Sequence, residues 1–463
     1  MTAALHIVIL AAGQGTRMKS GRPKVLHPIG GKPMLAHVIG CARELGAEMI
    51  HVVHGHGAEQ VRAWAQASGI EAPDLRWVLQ SEQLGTGHAV QQAMPEVPAD
   101  ARVLVLYGDV PLIRPQTLQA LIDTSGLCLL SVCLDDPSGY GRVLRDEQNQ
   151  LSAIVEQKDA DPQQRAINEV NTGMLAAPAA ALQDWLTRID NDNASGEYYL
   201  TDCISLAVSD RVPASAIVAK DPVEVAGINN RLQLAQQERA LQQRIALQLM
   251  EAGVHLLDPA RIDVRGELCC GRDVQIDVGC VFKGLVELAD GVQIGPNCVL
   301  ENVRLGAGTL VAANSVLEDC VAEADCSIGP FARLRPKAHL LTGAKVGNFV
   351  EIKKSTLGEG AKASHLAYVG DAVVGARVNI SAGVITCNYD GANKFETQIG
   401  DDAFIGTDTQ LVAPVKIGKG AFVAAGSTIT KDVPEDALAI CRARGQKHVE
   451  NWQKPVKKPK KGD

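Results

Sequence analysis

The sequence predicts an α/β chain in three parts: a Rossmann-like sheet alternating with helices, a connecting helix, and a parallel β-helix of hexapeptide repeats. Three observations carry this prediction. Short β-branched apolar runs alternate with helical stretches up to about residue 228. A segment rich in Leu, Gln and Arg, without Pro or Gly, runs from Asn229 to Glu251. Beyond it, aliphatic residues recur every six positions, and between 294 and 418 an aliphatic residue is followed directly by glycine ten times. Six residues is too long for one helical turn and fits no heptad. It fits a solenoid whose strands each bury one aliphatic side chain and bend at a small residue.

Taken in order, HIVILAA at the start, MIHVVHG at 49–55 and RVLVLYGD at 102–109 read as strands. Met34 to Leu45 and Ala58 to Ala67 read as helices between them. Strands separated by helices imply a parallel sheet with ligands at the strand C-termini. In the next segment Leu234, Glu238, Leu241, Ile245 and Leu249 share one helical face, and Gly253 is a stop signal. The repeat is cleanest where Ile399, Ile405, Leu411, Ile417, Val423 and Ile429 stand six apart; Ile328, Leu334, Leu340, Val346 and Ile352 form a second run. Glycine after the aliphatic position suits a corner where a Cβ would clash or φ must be positive. The expected boundaries are 1–228, a helical linker at 229–253, the β-helix at 254–447 and a flexible basic tail at 448–463. Regular coils account for shape, so chemistry is expected where the rhythm breaks: KKSTLGEGAKASHLAYVG at 353–370 and CNYDGANKFET at 387–397.

Composition narrows the function classes. A length of 463 residues allows two or three well-buried domains. With 46% hydrophobic, 21% charged and only 3% aromatic residues, the chain reads as soluble and globular with an aliphatic core. A net charge of −8 argues against a nucleic-acid partner, which needs a basic face. The one basic run, Lys454 to Asp463, reads as a solvated tail. Twelve cysteines form no CxxC pair and no zinc spacing, so they read as reduced, mostly buried thiols of a cytoplasmic protein. No signal peptide and no run of 18 apolar residues is visible, so no membrane insertion is expected.

The first strand leads into LAAGQGTRM, Leu10 to Met18, with Lys24 six residues on. Gly13 and Gly15 let backbone amides approach an anion, and Arg17 and Lys24 add positive charge where a triphosphate would lie. Such charge stabilises a phosphoryl transition state. The spacing is neither the Walker loop nor the dinucleotide fingerprint. Tyr107-Gly108-Asp109 closes a buried strand and sets a carboxylate at the sheet edge. That carboxylate is either a turn former or a Mg²⁺ ligand. Gln80 and the stretch Gln83 to Ala89, QLGTGHA, supply amides and a glycine turn suited to reading a base.

These motifs resemble the sugar-1-phosphate nucleotidyltransferases. GYGRV at 139–143, Glu156 in IVEQKD, Asn171 in NEVNTG and Asn229 in GINN extend the match. With the hexapeptide part, residues 5 to 445 resemble the bacterial bifunctional N-acetylglucosamine-1-phosphate uridyltransferase/glucosamine-1-phosphate N-acetyltransferases. The resemblance implies that Leu10, Ala11, Ala12, Gly13, Lys24, Gln80, Gly85, Thr86, Tyr107 and Gly108 hold UTP. Gly141, Glu156, Asn171 and Asn229 would hold the sugar product, and Asp109 and Asn229 would ligate Mg²⁺. Asn229 also has a capping reading, since NN before a helix can be an N-cap pair; one asparagine would cap while the other ligates. The sugar-phosphate oxygen would attack the α-phosphorus of UTP, with Arg17 and Lys24 on the developing charge.

In the broken coils, His365 stands near Lys353 and Tyr368. Forming an amide from a thioester needs a base for the amine proton and donors for the oxyanion, and histidine suits the first task. By resemblance His365 is that base. Arg335, Lys353, Tyr368, Asn379 and Lys394 would hold glucosamine-1-phosphate, while Ala382, Asn388, Tyr389, Thr407, Ala425 and Arg442 would hold acetyl-CoA. Glu351 either orients His365 or is a surface charge. Thr407 stands where Ser is common in the family, and Ser381 where Gly is common. The resemblance also implies a left-handed coil, against the usual crossover hand, and a homotrimer. Two other readings are a single-activity nucleotidyltransferase with a structural β-helix, and a non-catalytic assembly subunit. The first needs no His365, Asn388, Tyr389 or Arg442; the second predicts loss of Arg17, Lys24 or Asp109. All are present.

Overall fold

Ile7, Val8 and Ile9 have no exposed surface, as expected of a strand covered on both sides. In the computed structural model, which describes residues 3–442, Leu5–Leu10 lies near the middle of a mixed sheet. The order across the main path is Ala214–Val218, Leu127–Cys133, Glu169–Pro178, Arg102–Tyr107, Leu5–Leu10, Met49–His54 and Leu75–Leu79. Side chains alternate between two cores: Ile7 and Ile9 pack with Leu35, Val38 and Ile39, while Val8 packs with Val90, Leu182 and Trp185. Each such side chain contributes roughly 1.5–3 kcal/mol by leaving water.

The all-parallel expectation fails at Glu169–Pro178, which runs antiparallel to both neighbours. The chain reaches it through the hairpin of Arg142–Arg145 with Leu151–Val155 and a four-residue helix, Pro162–Arg165. That helix is too short to serve as the crossover a parallel pair requires. The neighbouring parallel strands still end together at Leu10, His54, Leu79 and Tyr107, so the expected ligand edge survives.

The predicted connecting helix spans Arg231–Glu251. Leu234 and Leu241 pack against Ile29, Met34, Leu112 and Ile228. Its most buried positions include two glutamines that the apolar stripe did not mark, Gln237 and Gln242. Gln242 exchanges hydrogen bonds with the Val264 backbone in both directions, at 2.7 and 2.8 Å, as a strand partner would. The chain divides into two compact units: one comprises residues up to Leu247 together with Val264–Gly266, the other the rest.

In the second unit, early strands such as Cys280–Leu288 and Val299–Leu305 are long, and later ones shrink to two or three residues. From Cys280–Leu288 onward the strands stack in parallel. Ile399 sits on Ile417 and Leu411 on Ile429, eighteen residues apart, so one coil holds three hexads. Every aliphatic residue of the two predicted runs is buried. The glycine after it is required by close coil packing: a Cβ on Gly406 would stand 2.5 Å from Ala425 N, and one on Gly347 2.0 Å from Ser364 O. Val374 stacks on Leu357, seventeen residues back, and on Ile399, twenty-five residues ahead. The excess is the 387–397 loop, which closes on itself through an antiparallel bridge between Tyr389 and Lys394. The expected tail at 448–463 lies outside the described residues.

Candidate active sites

The glycine loop turns away from strand Leu5–Leu10 through Gly15, which takes the left-handed φ of 62°. A Cβ there would stand 2.7 Å from Lys24 Cβ, so the glycine lets Lys24 fold in beneath the loop. Gly13 has no atom within 4 Å of its Cβ position and leaves open space over the sheet edge. Together with Leu10, Ala11, Ala12, Lys24, Gln80, Gly85, Thr86, Tyr107, Asp109 and Asn229 it lines one cleft of about 920 Å³ of empty space. Gln83 and Ala89, the ends of the predicted QLGTGHA stretch, also line it, and so do Val25 and Glu197, which were missed. Glu197 comes from a loop without motif, so no sequence signal pointed to it.

Charge is concentrated at one end. Lys24 Nζ pairs with Asp109 Oδ2 and donates to Asn229 Oδ1 at 3.2 Å, and Arg17 Nη2 donates to the same oxygen at 3.1 Å. The neighbouring Asn230 caps the helix by accepting from Gln233 N at 2.9 Å, which separates the two asparagines as expected. A second hollow shares Tyr107, Asp109 and Asn229 and adds Arg17, Gly139, Tyr140, Thr172 and Gly227. Burial raises the Tyr107 hydroxyl above its ordinary range, so it stays a neutral wall.

The remaining predicted residues line neither of these two hollows. Gly108 carries the backbone close to Val25 and Ala11. Asn171 N donates to Gly141 O at 2.8 Å, while its side chain accepts from Gly173 N at 2.7 Å. Glu156 lies beside Gly141, accepts from Thr201 at 3.3 Å, and is raised above the usual carboxylate range by burial. It lines an acidic hollow with Asp159, Asp190 and Asp202 rather than the nucleotide cleft.

Asp109 and Asn229 offer one carboxylate and one amide oxygen. That set suits Mg²⁺, which keeps waters and substrate phosphates in its shell. The Lys24 ammonium, lying between these two oxygens, stands where a cation is welcome.

On the β-helix, parallel stacking aligns Asn348 with His365. His365 Nδ1 lies 2.8 Å from Asn348 Oδ1. A carbonyl oxygen can only accept, so Nδ1 carries the proton and Nε2 keeps its lone pair for a substrate proton. The expected alternative for Glu351 resolves the other way: it accepts from Arg335 at 2.7 Å and does not orient His365. The reason is register, since seventeen residues of coil bring position 348, not 351, beside 365.

Ala382 O accepts from Asp408 N, Thr407 O from Gly426 N, and Ala425 O from Arg442 Nε, each at 2.8 Å. These contacts tie four of the predicted acetyl-CoA residues along consecutive coils. Asn388 donates to Asp371 Oδ2 at 2.5 Å, and Lys354 pairs with that carboxylate at 2.9 Å. Burial raises Asp371, yet these partners outweigh it and hold it below the ordinary carboxylate range. Tyr389 is exposed on the projecting loop. Lys394 lowers the Lys353 ammonium from its usual range through contact and repulsion, and Arg335 adds to this. Three cations so placed suit a phosphate dianion. Tyr368 folds over Gly370, where a Cβ would stand 2.3 Å from its hydroxyl. Asn379 donates to Ser381 Oγ at 3.1 Å, so the serine that departs from the family pattern engages a predicted sugar contact.

Residues 7–133 match the model of the MobA-like NTP transferase domain, and residues 396–431 that of the bacterial transferase hexapeptide (six repeats). Fold and site together define a transferase class that carries a nucleotide-handling sheet and a hexapeptide prism on one chain. The chain is 56% identical to the bifunctional protein GlmU of Alkalilimnicola ehrlichii over 465 residues, covering 100% of this chain and 99% of that protein. It is 56% identical to the GlmU proteins of Aromatoleum aromaticum and Bordetella parapertussis, covering 98% of this chain and 99% and 100% of theirs. The chain belongs to the bifunctional GlmU family.

Proposed function

We infer that the chain makes UDP-N-acetylglucosamine in two steps: acetyl transfer from acetyl-CoA to glucosamine-1-phosphate, then uridylyl transfer from UTP to N-acetylglucosamine-1-phosphate. The observation that carries the second step is the charged cluster of Arg17, Lys24, Asp109 and Asn229 at the end of the glycine-loop cleft. A phosphate oxygen of the sugar substrate attacks the α-phosphorus of UTP and pyrophosphate leaves. Arg17 and Lys24 neutralise charge on the transferring phosphoryl group and the leaving group. When bound at Asp109 and Asn229, Mg²⁺ supplies further charge neutralisation between phosphates. Gln80, Gly85 and Thr86 face the base, and Gly141, Glu156 and Asn171 support the sugar side.

In acetyl transfer the amine of glucosamine-1-phosphate attacks the thioester carbonyl. His365 Nε2 takes the amine proton and the CoA thiolate departs. Arg335, Lys353 and Lys394 hold the phosphate, Tyr368 and Asn379 flank the sugar, and Ala382, Asn388, Tyr389, Thr407, Ala425 and Arg442 hold the coenzyme. Domain limits of 1–228, 229–253 and 254–447 follow from this reading.

A homotrimer fits one corner of the prism. Phe331, Phe349 and Leu366 are 48%, 57% and 59% exposed, and all three have φ near +50°. Bulky apolar residues are unfavourable there on both counts unless covered, and His365 adjoins them. Twelve free thiols favour a cytoplasmic setting; among the described residues no helix is long and apolar enough to cross a membrane.

Two variants separate the activities. Asp109→Ala should abolish UTP-dependent pyrophosphate release and keep CoA release; His365→Ala should do the reverse. CoA release at full rate from His365→Ala would refute the assigned base, and none from the wild type would refute the acetyl-transfer reading.

A further inference from the structure

Arg142, at the start of strand Arg142–Arg145, is only 1% exposed. Its guanidinium rests on two main-chain carbonyls. Nη1 donates to Tyr140 O and Nη2 donates to Arg165 O at 3.3 Å, while Nε is buried without a hydrogen bond. Among the described residues no carboxylate forms an ion pair with it. Burying a charge without a counter-charge is costly, and an apolar side chain of similar volume in its place is often neutral or stabilising. Stability is therefore a poor reason for an arginine at this position.

What the guanidinium does fix is one peptide. The Tyr140–Gly141 unit is planar and trans, so its C=O and N–H point in opposite directions. With the carbonyl drawn to Arg142, the Gly141 N–H is turned away from the guanidinium. That N–H has no acceptor among the described residues, although Gly141 is buried. A buried main-chain donor without a partner is rare and points to an acceptor that arrives from outside the chain. The following peptide is held separately, since Gly141 O accepts from Asn171 N at 2.8 Å. Arg142 is the one described donor to Tyr140 O, so nothing else sets the direction of the free N–H. The glycine also keeps the backbone close to Glu156: a Cβ on it would stand 2.9 Å from Ile154 Cγ2 and 3.0 Å from Glu156 Oε1.

We propose that Arg142 is a positioning residue for the sugar phosphate: it clamps the Tyr140–Gly141 peptide so that the Gly141 N–H is held ready for an oxygen of the sugar. This rests on the nucleotidyltransferase reading, which sets the sugar beside Gly141, Glu156 and Asn171, and deepens it. Without the clamp the peptide is free to turn, because glycine restrains its own backbone less than any other residue. The donor then spends part of its time facing inward, and the sugar loses one hydrogen bond. Nucleotide contacts lie in the other cleft and do not depend on this peptide.

The test uses the full chain and follows pyrophosphate release with UTP and N-acetylglucosamine-1-phosphate varied in turn. Arg142→Met, an apolar side chain of similar length, should raise KM for the sugar phosphate roughly tenfold, the scale of one hydrogen bond. KM for UTP and kcat should stay close to wild type, as expected when binding of one substrate alone is weakened. Arg142→Lys, whose ammonium keeps a donor for Tyr140 O, should recover most of the sugar KM. Urea unfolding followed by tryptophan fluorescence should place Arg142→Met at or above wild-type stability. An unchanged sugar KM in Arg142→Met, an equal rise in both KM values, or no recovery in Arg142→Lys would overturn the inference. If Arg142→Met does not fold, Arg142→Lys decides: a sugar KM near wild type supports the clamp, and a rise of about tenfold with the UTP value intact overturns it. Wild-type chain giving no pyrophosphate from UTP is a separate result: it would refute the nucleotidyltransferase reading and this inference with it.

Discussion

Acidification should destabilise the first unit through a pair of buried histidines. His51 has no exposed surface and His6 is 4% exposed; their rings stack at 5.4 Å, with His6 Nδ1 and His51 Nε2 3.1 Å apart. Burial, then His6 and Arg76, push His51 down from 6.5 to about 4, and burial lowers His6 too. Between those pH values the unfolded chain binds the proton and the folded chain does not. Unfolding is therefore favoured as pH falls through that window, and the contribution is flat above 6.5. At about 1.36 kcal/mol per unit, the full loss from His51 is about 3.4 kcal/mol, of which about 2 kcal/mol is reached by pH 5. The assay is urea unfolding at pH 7.5 and pH 5, followed by fluorescence of Trp64, Trp77 and Trp185, all in the first unit. His51→Gln should lose about 2 kcal/mol less than wild type between these conditions. Equal losses in the two proteins would refute the reasoning.

Three further outcomes are expected. Gly15→Ala, strained at φ 62° and pressing on Lys24 Cβ, should cost about 1 kcal/mol in stability and lower kcat/KM for UTP at least roughly tenfold, leaving CoA release unchanged. Asn348→Ala should reduce kcat for CoA release by about tenfold with little change in KM, because it frees the His365 tautomer without touching the substrates. Phe349→Asp should yield smaller species in sedimentation velocity and lose acetyl transfer while keeping pyrophosphate release.

Much of both sites was legible because the information is local. The glycine loop, Lys24, YGD and the LGTGHA turn each sit where a strand ends, and strand ends can be read from apolar runs. The NN pair was legible only as an alternative: the chain showed that one asparagine caps, and the fold assigned that task to Asn230 and turned Asn229 to the cleft. Glu351 looked close to His365 because it lies in the neighbouring coil, yet a shift of three residues gives the contact to Asn348. The antiparallel strand Glu169–Pro178 and the buried Gln242 were missed for a related reason. Each satisfies its hydrogen bonds with residues distant in sequence, which apolar periodicity does not record.

The sequence by itself determined the period of the prism, since one buried aliphatic residue every six and a glycine where coils touch leave little freedom. It also determined which edge of the sheet carries charge, because loop glycines and cations follow the strands directly. Tertiary structure alone decided which side chains meet. Asn348 reaches His365, Lys353 meets Lys394, and Lys24 crosses to Asp109 only after coils stack and strands pair. Local propensity specifies an element, whereas a hydrogen-bond partner is chosen by register between elements, and register belongs to the packed whole.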